Sequence, residues 1–145
     1  AKAAGNPGIL LINRQESEAA ERWLQEALTA SRLADAHWMT AYIVGHLGVL
    51  AEERGDTEQA TAYFQSARTL AEIVGDLRSA IFWTINLGIV HFEQGRSDEA
   101  LPLLREEQTR AAAQGFHSLE AGTNIFIGAC LVAQGKAADG LSSIE

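Results

Sequence analysis

The chain has 145 residues, 47% of them hydrophobic, with 13 glycines and 2 prolines to interrupt regular structure, which suits one ordinary, mostly helical domain. Its net charge of −8 and 11 scattered basic residues argue against non-specific binding to a polyanion, which needs clustered Lys and Arg. Nucleic acid and anionic membranes are therefore not the expected partners, and the short apolar stretch Ile9 to Ile12 is far below membrane-spanning length.

In chain order, the dominant feature is a period of forty: Gly8, Gly48, Gly88 and Gly128 stand at that interval. Leu47-Gly48-Val49-Leu50 superimposes on Leu87-Gly88-Ile89-Val90, and Ala20 on Ala60 and Ala100. Such a period marks stacked supersecondary units. Each unit holds two apolar-periodic stretches around a polar turn, the pattern of an αα-hairpin. The expected helices lie near 8-14, 17-33, 37-54, 57-74, 78-94, 97-113, 118-134 and 137-145.

Within the hairpins, the expected turns are Arg14-Gln15-Glu16-Ser17, Glu53-Arg54-Gly55-Asp56-Thr57 and Gln94-Gly95-Arg96-Ser97. Gly55 can take the left-handed conformation that ends a helix, Asp56 with Gln59 fits a capping box, and serine is the expected cap elsewhere. Between units, Val74-Gly75-Asp76 and Gln114-Gly115-Phe116 again place glycine where a helix stops, with Ala34-Asp35 at that point in the first unit.

The mid-helix glycines need a steric reason, because each costs about 1 kcal/mol relative to alanine. Close approach of the paired helix supplies it, with Ala20, Ala60 and Ala100 as matching small residues. Leu47, Leu87, Leu24, Phe64 and Leu104 fill the space around them. Trp23, Tyr63 and Leu103 share a register that packs on the following unit.

Leu-Gly, a second glycine seven residues on, a small residue five further and an aromatic or Leu four beyond resemble the tetratricopeptide repeat. The likeness covers essentially the whole chain, and the longer period is similar to that of MalT-like bacterial regulators and LGN-type adaptors. Pro7, Gly140 and Glu107 depart from it. The resemblance implies an all-α, right-handed αα-superhelix of about three and a half helical hairpins. It also implies one domain, 1-145, in units 1-35, 36-75, 76-115 and 116-145. Both ends fall inside repeats, so a piece of a longer protein is expected.

In such arrays the first helices line a concave face that receives a peptide or helix. Carried over by register, that face holds Asn6, His46, Asn86 and Phe126; Tyr42, Phe82 and Gly122; Val49, Ile89 and Ala129; and Glu52, Phe92 and Val132. The expected partner site is therefore Tyr42, His46, Phe82, Ile85, Asn86, Ile89, Phe92, Ile125 and Phe126, an apolar wall suited to an amphipathic helix or apolar peptide. The competing reading is packing within and between repeats. A chaperone-type carboxylate clamp is disfavoured, since these registers supply no Lys or Arg beyond Lys2.

Catalytic signals are weak. Cys130 and His91 lie on neighbouring first helices, yet no orienting group or oxyanion site accompanies them. The single thiol reads as a small buried hydrophobe and fits a reducing, cytoplasmic compartment. His37 and His117 fall at helix starts. Glu16, Glu18, Asp98 and Glu99 suit second-helix N-termini, where the dipole favours negative charge. Trp23, Trp38 and Trp83 read as packing residues and not a ligand box, with exposure the alternative for Trp38, which stands beside Met39 at a helix start. No metal, cofactor or phosphate-loop motif occurs. The expected function is a non-enzymatic protein-binding scaffold; the alternative is a regulatory or self-association module of a larger signalling or transcription protein, including a homo-oligomer.

Overall fold

The computed structural model describes residues 7–135, with side chains from residue 16 onward. Six α-helices follow one another: α1 Pro7–Leu33, α2 His37–Glu53, α3 Thr57–Val74, α4 Leu77–Glu93, α5 Ser97–Gln114 and α6 His117–Ala133. Each packs on its neighbours in the chain, and α4 also touches α6. Two complete hairpins, α2–α3 and α4–α5, thus stack between α1 and α6 in an αα-solenoid, with no strand among the described residues. The helix expected at 137-145 lies outside the described residues. None of the described helices is long and apolar enough to cross a membrane.

The first unit departs from expectation. Two helices broken at Arg14–Ser17 are expected there, but α1 runs through unbroken. Gln15 stands in the slot that Gly55 fills forty residues on, where φ is 80°. Without glycine, nothing favours the left-handed residue that would stop the helix. Glu16 and Glu18 consequently lie within α1 and not at a helix start.

Between units, Gly75 and Gly115 adopt left-handed φ of 77° and 74° and close α3 and α5. Asp35 holds the same slot at φ 56°, as a short polar side chain can. Asp56 accepts a hydrogen bond from the Gln59 amide at 3.1 Å, and Asp76 accepts one from the Ser79 amide at 3.1 Å. The cap expected of Ser97 is not made. Arg96 occupies the Asp56 slot, no side chain caps α5, and Ser97 is a buried first-turn residue.

Packing follows the repeat. A Cβ built on Gly48 would lie 2.7 Å from Cε1 of Phe64, and one on Gly88 would lie 2.7 Å from Cδ2 of Leu104. The glycines therefore make room for the large side chains of the paired helix, while Ala60 and Ala100 are fully buried beside them. One core cluster gathers Leu28, Val44, Leu47, Phe64, Trp83 and Leu87; a second gathers Ile81, Ile85, Leu101, Leu104, Ile127 and Cys130. Trp23 does not pack as expected and is 72% exposed. The face of α1 turned to the core carries Leu24, Ala27 and Leu28, and Trp23 stands off it.

Glu107 occupies the slot of the fully buried Ala67 and is itself buried. Nη1 of Arg110 donates to its two carboxylate oxygens at 3.0 and 3.2 Å. Burial pushes the Glu107 carboxyl up, and Arg110 and Arg68 oppose that rise.

Candidate functional site

Helical steps of three and four residues put Trp38, Tyr42, His46, Val49 and Glu53 on one face of α2. The same steps put Arg78, Phe82, Asn86, Ile89 and Glu93 on one face of α4. At the N-terminal end of this pair lies an open cleft of about 460 Å³, lined by Trp38, Tyr42, His46, Arg78, Phe82 and Trp83, with Leu119 of α6. Trp38 is 63% exposed, Tyr42 60% and Phe82 41%, so three rings face solvent together.

Trp83 forms the floor. It is buried, its ring stacks on Phe64 at 5.8 Å between centroids, and Phe82 meets it edge-on at 4.7 Å. His46 joins Tyr42 at 4.4 Å to Trp83 at 5.6 Å. Burial lowers the His46 pKa, so the imidazole is neutral at neutral pH and acts as an aromatic ring with a polar edge.

The residues expected on the inner wall separate into two groups. Tyr42, Phe82 and Ile125 are exposed, the last at 58%. Ile85 is a correction: it is 7% exposed and belongs to the second core cluster. One residue off the Phe82–Asn86 face turns a side chain about 100° around the helix, here toward Leu104 and Ile127. Ile89, Phe92 and Phe126 are partly buried against that cluster, and Phe92 meets Phe126 edge-on at 6.1 Å. Asn86 donates one N–H to the Phe82 carbonyl at 2.9 Å, leaving its side-chain oxygen as an acceptor.

Arg78 is an inner-face residue that the register reading misses. It borders the cleft, with its guanidinium 4.9 Å from the centroid of the Phe116 ring. The step of four from Phe82 back to Arg78 is the signal that finds it. Trp38 is likewise at the cleft and not in the core.

At the opposite ends of α2 and α4, Glu52 lies near Glu93 and Glu53. Burial, then the hydrogen bond and charge of Glu93, then the charge of Glu53 push Glu52 up to about 7. The nearest base in sequence, Arg54, donates to the Glu21 carboxylate and to the Ser17 carbonyl of α1 instead.

The structure offers no activated nucleophile at Cys130. The side chain is fully buried, and burial pushes the thiol up, opposite to a reactive cysteine. His37 and His117 are exposed at the starts of α2 and α6, within 3.3 Å of Asp35 and 3.6 Å of Glu120.

No curated protein matches this chain. A family model described as tetratricopeptide repeat matches residues 39–111, spanning α2 to α5 and both complete hairpins. Paired helices at a forty-residue spacing, mid-helix glycines filled by the partner helix and this match over half the sequence agree: the chain belongs to the tetratricopeptide repeat family.

Proposed function

We propose that this chain is a protein-recognition module whose partner lies against α2, α4 and α6, with Tyr42, His46, Phe82, Asn86 and Ile125 as contacts. Repeats of this family serve protein–protein interaction and are typically non-catalytic. The observation that carries the reading is the group of solvent-facing rings, Trp38, Tyr42 and Phe82, around one cleft. Grouped apolar surface of this kind mark interaction sites, because covering it recovers about 25 cal/mol per Å² before ordering costs. The whole domain, in the forty-residue units above, acts as one scaffold for that face, in the manner of the longer-repeat arrays.

The test is capture of a partner on the native chain, on Phe82→Asp and on Gln65→Asp, the last an exposed position of α3. A partner retained by Gln65→Asp and lost from Phe82→Asp, with helicity unchanged, is the expected result. A partner held equally by all three proteins removes this face from the reading.

A further inference from the structure

The cleft brings a single cation to a group of rings. Trp38, Tyr42 and Phe82 turn toward solvent around the Trp83 floor, and Arg78 stands at the rim one helical turn before Phe82. Among α2, α4 and α6, Arg78 is the only Lys or Arg. His46 is neutral, so Arg78 is the one cation among the residues that line the cleft.

That cation is held in place with its hydrogen-bonding edge to spare. The guanidinium lies 4.9 Å from the centroid of the Phe116 ring, and no carboxylate reaches ion-pair distance of it among the described residues. Asp76 also borders the cleft, but its oxygens are engaged at the start of α4. One accepts from the Ser79 amide at 3.1 Å and the other from the Ser79 hydroxyl at 2.7 Å. Stacking occupies a face of the guanidinium and leaves its N–H edge for a carboxylate, which can accept two parallel hydrogen bonds.

Phe116 departs from the repeat in order to hold Arg78. It fills the slot in which Asp76 caps α4, and α6 has no side-chain cap. A carboxylate there would cap α6; the ring forgoes that and braces the guanidinium. The brace is firm, because Phe116 also packs against the second core cluster. Local rules broken in this way concentrate where a site serves a ligand.

We infer that the cleft is a small-molecule site for an apolar organic anion, a carboxylate joined by a short aliphatic linker to an apolar body. The body lies on the rings of Trp38, Tyr42 and Phe82, and the carboxylate takes the edge of Arg78. Arg78 and Phe82 are four residues apart, about 6 Å along α4, which a short linker spans. The cleft volume of about 460 Å³ falls among those of small-ligand sites, about 300–1,000 Å³, which are mostly apolar with a few placed polar groups. The inference rests on the open cleft of the recognition reading and needs no protein partner, so a failed capture leaves it standing.

The probes are 4-phenylbutanoate, its amide and 4-phenylbutylamine, which share a ring and a linker and differ in charge. Binding to the full chain is followed by calorimetry and tryptophan fluorescence. The acid is expected to bind with a Kd of about 1 mM or tighter. It should bind about tenfold more tightly than the amide, and the amine should not bind. Arg78→Gln should cost the acid about tenfold and bring it to the level of the amide. Arg22→Gln, the same change of charge at an exposed position of α1, should not. Arg78 is itself exposed, so its variant keeps the fold and carries the test alone. Phe82→Ala should weaken the acid and the amide alike.

An amide that binds as tightly as the acid, or an acid indifferent to Arg78→Gln, overturns the anion. Acid binding that ignores Phe82→Ala lies outside the cleft and overturns the site. No saturable binding of the acid up to about 10 mM overturns the proposal.

Discussion

The indole of Trp83 lies against the backbone of Gly45, where any Cβ would overlap the ring. This contact joins α4 to α2 across the inner face and sets the floor of the cleft. Alanine normally gains about 1 kcal/mol over glycine inside a helix. At Gly45 the sign reverses: Gly45→Ala is expected to lose about 1–3 kcal/mol by overpacking, read in urea denaturation. Gly122, inside α6 with nothing within 4 Å of a built Cβ, is the control. Gly122→Ala should gain about 1 kcal/mol.

Asp35 holds its left-handed conformation in a slot that is glycine in the next two units, Gly75 and Gly115. Asp35→Gly is expected to stabilise the chain by about 1 kcal/mol in the same denaturation experiment. The exposed pairing with His37 is a small loss beside that gain. Equal midpoints for the two proteins would show that aspartate is unstrained there.

Glu107 and Arg110 make a pair with one member wholly inside the protein. Arg110→Ala leaves the buried carboxyl without its donor, and about 1–3 kcal/mol should be lost. Glu107→Met, similar in volume and free of charge, should be neutral or stabilising. Denaturation midpoints that fall alike for both variants would contradict this account.

Glu52 gives the stability of the chain a pH dependence. Its folded value of about 7 lies above the ordinary glutamate value near 4.3. Its contribution is fully present below about pH 4.3 and is lost as the pH rises through about 7. Glu52→Gln keeps the hydrogen-bonding shape without titrating. Its melting temperature should therefore gain on that of the native chain between about pH 5 and 8. Parallel curves over that range would show that the group titrates normally.

The repeat and its turns were legible because glycine and small residues carry steric meaning wherever they recur. Gly48 and Gly88 announce close approach, and Asp56 announces a cap. The same logic, applied to absences, also reads α1: Gln15 lacks the glycine that would break it, and Arg96 lacks the carboxylate that would cap α5. The cleft was harder to see. Ile85 and Asn86 differ by one position and about 100°, so a register shared by several repeats cannot separate wall from core. Trp83 resolves toward the core only because Gly45, which has no counterpart glycine forty residues on, opens a place for it. Arg78 lies one turn before Phe82, ahead of the first register that the repeat resemblance carries over, and so falls outside it.

Hydrogen exchange of the chain with and without its captured partner tests the recognition face most directly. Slower exchange is expected in peptides from α2 and α4, residues 37–53 and 77–93, with α3 and α5 unchanged. Protection confined to 57–74 and 97–114 would put the partner on the opposite helices and contradict the account.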